Sequence, residues 1–374
     1  MFKPEELGKR LKEERERLEL TQKQVAEELG FNNYQSLLEI ESGKREVKAW
    51  ELAKLARIYH RSFDYFIEEV LAPQPEPIII WRYPTGKNKL AEQHFIHYCE
   101  NYEKLEKMMT TSRPKFIFLK LDQNHFVEKP YDRINELVSH YLKELNLGVR
   151  PACLLAKILE ETHGVKLFYM DKAPGSAASI ISSDFGPAIL LNSNNVRWRR
   201  NYDLAHELFH LITWDIFDIK ETCKGDIEDW AEIFGAAILM PEKEIRDEFN
   251  KRLDGNKISA PNLVELAVEF DVSIKALLLR LKDLKLLQEK EVSNYLQNYT
   301  TLRAIDNRST DQSANKPSLS DRFINLSIKA FLLGKISKGK LAEYLEMPFG
   351  EVTMFLKKHG YDENEDYSRE FTAT

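Results

Sequence analysis

The sequence predicts an α+β protein that is mostly helical. It should have an all-α domain at the N-terminus, a central domain that combines a small antiparallel sheet with an HExxH helix, and a small helical domain at the C-terminus. Three observations lead to this fold class. Residues 4–69 have the spacing of short amphipathic helices, residues 165–192 contain β-type runs separated by Pro and Gly turns, and helical periodicity returns between 199 and 290 and between 320 and 360.

Composition restricts the classes of protein to which the chain can belong. Its 374 residues include 54 Lys+Arg and 60 Asp+Glu, so a globally basic nucleic-acid coat protein is excluded and any DNA binding must be local. No apolar run approaches the roughly 18 residues that a membrane-spanning helix needs, and the charged N-terminus has no signal-peptide core. We therefore expect a cytoplasmic protein with no membrane segment.

Changes in composition divide the chain into five predicted segments. Closely spaced prolines in Leu71–Pro77 break the helical pattern, because proline removes a backbone donor and disfavours the helical conformation of the residue before it. Polar residues with little to bury fill 301–320, which is typical of a linker. The predicted segments are an N-terminal domain at 1–70, a linker and connecting helical region at 71–130, a central domain at 131–290, a linker at 291–320 and a C-terminal helical domain at 321–374.

The periodicity of the middle of the chain predicts its elements in order. An apolar run begins at Ile78, and helices are expected at about 89–107 and 131–146. Three strands should follow in an antiparallel sheet: Val165–Met170, Ala177–Ser182 and Ala188–Asn192. From about Arg199 to Lys290 the pattern is helical again.

Two consecutive helices of the N-terminal domain have the arrangement of a DNA-reading motif. The first has Thr21 as its N-cap and Gly30 after its last turn, and three apolar residues face inward: Val25, Ala26 and Leu29. The second, at about Asn33–Glu41, buries Leu37 and Ile40 and turns its polar residues outward, as a recognition helix does in the major groove.

The segment Leu7–Ile67 resembles the XRE/Cro-type helix-turn-helix domain, on the stretches LTQKQVAEELG and IESGKRE. The resemblance implies operator DNA as a partner, bound by a homodimer on a palindrome. The DNA contacts that it implies are Gln22 at phosphate, Asn33, Gln35 and Ser36 at bases, and Lys44 and Arg45 beside the backbone. Residues 1–70 hold 13 Lys+Arg and 15 Asp+Glu, so the alternative is a helical module for protein binding or dimerisation.

The most informative motif is His206-Glu207-Leu208-Phe209-His210, an HExxH sequence on a helix whose other residues are mostly apolar. Residues i and i+4 share one face of a helix, so His206 and His210 can bind one tetrahedral Zn²⁺. Glu207 lies about 100° round the helix, where it can act on a water molecule at that site. Phe209 should face the core, because it lies in the apolar company of Ala205 and Ile212.

A third metal ligand is expected on the next helix, which Pro241 ends. Glu228 follows His210 by eighteen residues, and Glu232 lies one turn further on, so one carboxylate can ligate zinc while the other orients a ligand imidazole from behind. Three neighbours compete with Glu228 by residue type alone: Asp226, Asp229 and Cys223.

The stretch Leu147–Leu287 resembles the ImmA/IrrE metallopeptidases, which are gluzincin-like, on motifs that include RRNYDLAHELFHL and EDWAEIFGAAILMP. The resemblance implies a zincin-like domain with Zn²⁺ as cofactor and Mn²⁺ as the alternative. It assigns His206, His210 and Glu228 as metal ligands and Glu207 as the general base, and it implies a repressor or antitoxin as the protein substrate. The chain departs from the family at Phe209, where glycine is frequent, and at Glu232, where asparagine is frequent.

The sequence therefore predicts a transcriptional regulator with zinc-dependent endopeptidase activity, acting in a stress or mobile-element response. The alternative is a DNA-binding transcription factor whose metal site is structural or sensory and cuts nothing. If peptides are cut, Ala177–Ser182 or Ala188–Asn192 is the expected sheet edge for a substrate strand. Candidates for stabilising the oxyanion are Tyr202, Arg199 and Arg200.

Overall fold

The computed structural model describes residues 4–68, 77–86, 88–109, 116, 130–217, 225–255, 257–306, 308, 317–362, 365 and 367. Several predicted features lie wholly or partly outside these residues: the break at 71–76, the connecting region at 117–129, the linker at 309–316, and Cys223. The chain divides into two compact units, the first made of Met1–Pro77 with Pro84–Glu103 and the second of Ile78–Tyr83 with Lys104–Thr374.

Helices dominate the described residues, and the predicted α+β, mostly helical fold class is confirmed. The first part of the chain contains α1 (Pro4–Arg17), α2 (Gln22–Leu29), α3 (Gln35–Glu41), α4 (Ala49–Ile58), α5 (Asp64–Ile67), β1 (Ile79–Arg82), α6 (Lys89–Met109), α7 (Pro130–Glu144) and α8 (Leu155–Glu161). The middle contains β2 (Lys166–Met170), β3 (Ala177–Ser182), β4 (Gly186–Asn192), α9 (Arg197–Ile212) and α10 (Asp226–Leu239). The last part contains α11 (Glu242–Lys251), β5 (Leu253–Asp254), β6 (Lys257–Ile258), α12 (Ala260–Glu269), α13 (Ile274–Asp283), α14 (Glu289–Gln297), α15 (Tyr299–Ile305), α16 (Asp321–Leu332), α17 (Lys338–Tyr344) and α18 (Val352–Lys358).

The first unit contains the helix-turn-helix, in which α2 is built as its sequence predicts. The Thr21 hydroxyl accepts a hydrogen bond from the backbone N–H of Gln24, and the helix ends at Gly30 with φ of 80°, a conformation that glycine adopts readily. The inward residues are buried: Val25, Ala26 and Leu29. α3 begins at Gln35 and not at Asn33, because the Asn33 side-chain oxygen accepts from the backbone N–H of Gln35 (3.1 Å) and closes a turn before the helix.

The four-stranded sheet of the second unit is mixed. Its order is β1-β3-β4-β2, with β3 antiparallel to both of its neighbours and β2 parallel to β4. The prediction of an antiparallel sheet is therefore wrong for the β2–β4 pair. In this sheet β4 lies between β2 and β3, so the chain that leaves β2 crosses to the far side of β4 before it forms β3. The sequence pattern of a strand indicates which of its residues are buried, but not which strand pairs with it.

β1 is a strand that the sequence did not predict, although its apolar run was noted. It forms the edge of the sheet beside β3, with Ile79 opposite Ile180 and Arg82 opposite Ala177. Its four residues are too few for an alternating pattern to stand out, and its partner lies far along the chain.

Small residues allow α9 and α10 to pack closely. A Cβ atom added at Gly235 would lie 3.4 Å from the backbone nitrogen of His206, in van der Waals contact with the backbone of the HExxH helix. Ala231 and Ala237 are fully buried beside it. The two helices share one large apolar core with the sheet and the helices that follow.

The C-terminal segment is helical, as its sequence predicts, with α16 and α17 in contact through Phe323 and Tyr344 (ring centroids 6.0 Å apart). Across the part of the chain that the structure describes, no helix combines the length and the apolar character that crossing a membrane requires.

Candidate functional site

The side chains of His206, His210 and Glu228 converge between α9 and α10. The Nε2 atoms of the two imidazoles are 3.1 Å apart. The His206 and His210 Nε2 atoms each lie 3.3 Å from a different oxygen of the Glu228 carboxylate. Within the described ranges, no other set of three or more His, Cys, Asp or Glu side chains brings its ligand atoms this close together.

These separations fit a divalent metal ion. Ligands at about 2.0–2.1 Å from a tetrahedral zinc ion lie about 3.3 Å from one another, which is close to the three distances in the structure. Two imidazoles and one carboxylate also form a donor set of catalytic zinc sites, in which three protein ligands leave a fourth position open. The three residues could therefore hold a zinc ion.

The electrostatics of His206 and Glu228 suit a metal ion as well. Burial lowers the pKa of His206 to about 4, so its imidazole is neutral near pH 7. Burial alone would raise the pKa of Glu228, but its hydrogen bonds with His206 and His210 outweigh burial and hold the pKa below the ordinary value. A neutral imidazole and an ionised carboxylate are the forms in which these side chains bind metals.

Glu207 follows His206 on α9, is close enough to His210 and Glu228 to interact with them electrostatically, and is 0% exposed. Burial raises its pKa to about 7, an effect that His210 and the Ser179 hydroxyl of β3 oppose only in part. Neither carboxylate oxygen has a partner with hydrogen-bond geometry among the described residues. A carboxyl group with a pKa near neutrality can both accept and release a proton, as general acid–base chemistry requires.

Phe209 faces the core, as the helix spacing predicts. It is completely buried, and its ring packs against Phe234 with centroids 5.5 Å apart. The phenyl ring therefore fills volume between α9 and α10.

Glu232 lies on the far side of His206 from Glu228. Its Oε1 atom is 3.8 Å from Nδ1 of His206, the nitrogen that does not face the other ligands. The same oxygen accepts hydrogen bonds from the guanidinium of Arg82 and from the hydroxyl of Tyr83 (3.2 Å). Arg82 and Tyr83 were not predicted as site residues, because nothing in a single sequence connects them with a motif so far along the chain.

The other candidate ligands do not join the metal centre. Asp226 and Asp229 are exposed at the start of α10 and outside the cluster. The third competitor, Cys223, falls in the segment 218–224 that is not described.

The candidate oxyanion residues all have partners. The Tyr202 hydroxyl donates to the backbone carbonyl of Glu232 (2.9 Å). Arg199 pairs with Asp203 (3.1 Å), and Arg200 donates to backbone carbonyls that include that of Ser193 (3.3 Å).

The expected substrate edge is wrong for both predicted strands. β3 is paired with β1 on one side and β4 on the other, and β4 is paired with β3 and β2, so neither Ala177–Ser182 nor Ala188–Asn192 offers a free edge. β1 covers β3 with residues from well before the predicted sheet, and β2 covers the other edge of β4.

The predicted DNA-contacting residues of the first unit fall into two groups. Asn33, Gln35 and Lys44 are exposed and Ser36 is half-buried, and all four lie on or next to α3. This group has the accessibility that contact with DNA requires.

Gln22 and Arg45 form the second group, because each has a buried internal partner. Gln22 donates through Nε2 to Glu41 (2.8 Å), which also holds Arg15 (2.6 Å). Arg45 donates to Glu51 (2.6 Å), whose side chain is 1% exposed.

Together, the fold and the two sites define a class of protein in which a helix-turn-helix is joined to a metallopeptidase-like domain. Residues 11–66 match the family model described as helix-turn-helix, and residues 160–282 match that of Peptidase_M78, described as an IrrE N-terminal-like domain. The chain thus combines an XRE-type helix-turn-helix domain with an IrrE-like domain, and the predicted fusion is confirmed. The first match indicates a DNA-binding regulator. No curated protein matches the chain.

Proposed function

We propose that this chain is a transcriptional regulator whose IrrE-like domain is a zinc-dependent endopeptidase, and that its substrate is a repressor or antitoxin. The observation that carries the proposal is the convergence of His206, His210 and Glu228 beside the buried carboxylate of Glu207. The domain boundaries at 70, 130, 290 and 320 are proposed with it. Within the segment 291–320 the structure describes most of α14 and all of α15, whose Val292 and Leu302 are buried in the core of the second unit.

His206, His210 and Glu228 would hold the metal, and Glu232 would orient His206 through its Nδ1 atom. When bound, zinc supplies Lewis-acid chemistry, lowering the pKa of water toward about 7 and polarising a peptide carbonyl. Mn²⁺ is the alternative ion.

Glu207 is the proposed general base. One of its carboxylate oxygens takes a proton from the attacking water, and the same group then gives that proton to the amine nitrogen that leaves when the peptide C–N bond breaks. The burial of Glu207 supports this role, because a pKa of about 7 suits both transfers.

For the first unit, we propose that α3 reads an operator in the major groove. Asn33, Gln35 and Ser36 would face bases and Lys44 the DNA backbone, with two protomers on a palindrome. Gln22 and Arg45 would serve the same surface indirectly, by holding Glu41 and Glu51 in place.

A second candidate function is supported by the position of β1. Because β1 covers β3, a substrate peptide has no free edge beside the metal centre on that strand. A DNA-binding transcription factor whose metal is structural or sensory would need no such edge.

The two candidates are separated by Glu207→Gln in the full chain. This substitution keeps the size of the side chain but removes proton transfer, so we expect at least a hundredfold loss of cleavage with the metal and operator binding retained. The measurement is the level of each protein encoded beside the gene, followed by immunoblot after stress in cells that carry wild type or variant.

Asp229→Asn is the matched control, since it removes an exposed carboxylate from α10 outside the metal cluster. It should behave as wild type. Equal decay of every neighbouring protein in wild type and Glu207→Gln would contradict the endopeptidase and favour the transcription factor.

A further inference from the structure

Arg82 is a buried arginine that lies next to the metal centre but outside both regions that match family models. It lies on β1, outside residues 11–66 and 160–282, and its side chain is 1% exposed. A guanidinium this deeply buried must be paired, because an isolated buried charge is very unfavourable. The identity of its partners is therefore informative.

One partner anchors Arg82 to the HExxH helix. Its Nη1 atom donates to Oδ1 of Asp203 (2.7 Å), one turn before His206 on α9. Asp203 is itself fixed, because its other oxygen accepts from the Ser176 hydroxyl (2.7 Å) and the Asn195 amide (3.0 Å). This carboxylate therefore holds the guanidinium in one orientation.

The second partner connects Arg82 to the metal centre. Its Nη2 atom donates to Oε1 of Glu232 on α10, the oxygen that lies 3.8 Å from Nδ1 of His206. That nitrogen has no hydrogen-bond partner within the described residues, although it is buried. In metal-binding histidines, the N–H of this second nitrogen usually donates a hydrogen bond to a carboxylate or carbonyl, which fixes the plane of the ring.

The backbone at the end of β1 is held close to the loop before β3. Ser176 donates its backbone N–H to the carbonyl of Arg82 (3.0 Å), and a Cβ added at Gly175 would lie only 2.7 Å from that carbonyl oxygen. Glycine at 175 therefore lets the end of β1 approach the loop before β3 closely enough for Arg82 to reach both carboxylates.

We propose that Arg82 is a positioning residue of the metal centre, which holds the Glu232 carboxylate behind His206 and thereby sets the orientation of that imidazole and the affinity of the site for Zn²⁺. The proposal rests on the metal-binding part of the proposed function. It gives β1 a role as part of the site, joining α9 and α10 through two carboxylates.

The test measures Zn²⁺ affinity of the purified full chain by competition with a chromophoric chelator, starting from metal-free protein. Arg82→Met keeps the long side chain and removes the charge, and we expect it to weaken Zn²⁺ binding by about tenfold or more. Arg82→Lys keeps the positive charge that the two carboxylates need but lacks the planar guanidinium that donates to both in fixed directions, so it should give a smaller loss.

Arg199→Met is the matched control. Arg199 pairs with the same Asp203 carboxylate (3.1 Å), so the variant removes a cation from the same network without removing the hydrogen bond to Glu232. Its Zn²⁺ affinity should stay within about twofold of wild type, well below the loss that removing a residue behind a ligand causes. Melting of the metal-free proteins reports damage to the fold separately.

A double-mutant cycle separates positioning from general support of the structure. If Arg82 acts through Glu232, then Arg82→Met causes no further loss of affinity in a Glu232→Gln background. In the Co²⁺-loaded protein, the visible absorption band should shift in the same direction in both single variants.

Several outcomes would overturn the inference. An equal loss of affinity in both backgrounds would make Arg82 a structural residue only. Wild-type affinity in Arg82→Met, with faster cleavage, would make β1 an inhibitory strand that covers β3. Retention of metal in His206→Ala would instead refute the metal centre itself, which is the failure of the proposed function and not of this step alone.

Discussion

The metal centre and the helix-turn-helix surface both contain polar residues at helical spacing, but the two regions differ in the interaction partners of those residues. His206 and His210 point at a shared centre and meet Glu228 from the next helix. In the helix-turn-helix, two of the residues that the family resemblance assigns to DNA, Gln22 and Arg45, meet buried carboxylates of their own domain.

The difference shows how far helical spacing can be used. Spacing tells which side chains share one face of one helix, and in the metal centre this nearly defines the site, because two imidazoles on one buried face need a common partner. Helical spacing does not tell whether a polar side chain predicted to contact DNA is instead paired with a carboxylate from another helix of its own domain. Glu41 and Glu51 do so in the first unit.

The largest expected effect tests the metal side of this comparison. His206→Ala, His210→Ala and Glu228→Ala should each lower Zn²⁺ affinity by at least about a hundredfold, because each removes one of three protein ligands. Wild type should carry about one ion per chain. Metal content of the purified proteins, with chelator competition, measures both.

Glu207→Gln is the control for this series, since it changes a buried carboxylate beside the ligands without removing a ligand. It should keep the metal. If Glu228→Ala also kept a full complement of metal, the role of third ligand would pass to Glu232, Asp229 or Cys223.

Much of the fold could be predicted because local patterns decide it. Thr21 and Gly30 bound α2, Pro241 follows the end of α10, and the apolar company of Phe209 places its ring in the core. The cluster of His206, His210 and Glu228 could be predicted for the same reason, because each of its two helices has a recognisable local sequence pattern.

What could not be predicted depends on contacts between distant segments. β1 joins β3 across a long stretch of chain, so neither the mixed sheet nor the covered edge of β3 is encoded in a local pattern. Arg82 reaches Asp203 and Glu232 only once that strand is in place. A lone arginine at the end of an apolar run gives no sign of this.

A smaller effect tests the helix-turn-helix side. Arg45→Ala removes the guanidinium from Glu51, whose carboxylate is almost fully buried, so we expect a loss of about 2 kcal/mol in the free energy of unfolding of the first unit. Hydrogen exchange of the α3 and α4 amides in the full chain measures it locally.

Lys44→Ala is the neighbouring control for that experiment, because Lys44 is exposed. Exchange in α3 and α4 should be unchanged. If Arg45→Ala left exchange unchanged and instead lowered the salt dependence of DNA binding, Arg45 would belong with the DNA contacts that the family resemblance implies.

The smallest effects distinguish a base contact from a phosphate contact on the same surface. Gln35 is the first residue of α3 and is exposed. Gln35→Ala should therefore weaken binding to the chosen operator by about 1–2 kcal/mol, with little effect on unrelated DNA. Lys44→Ala should weaken binding to every sequence alike and lower the slope of log affinity against log salt by about one unit per protomer, because one phosphate contact is lost. Both variants keep the buried partners Glu41 and Glu51 paired, so a change in binding cannot be traced to unfolding of the domain. Fluorescence anisotropy of the full chain on an operator selected from genomic fragments, titrated at several salt concentrations, measures both quantities. If neither substitution changed the affinity or its salt dependence, the exposed face of α3 would be a protein-binding surface. None of the DNA contacts that the family resemblance implies would then hold for this chain.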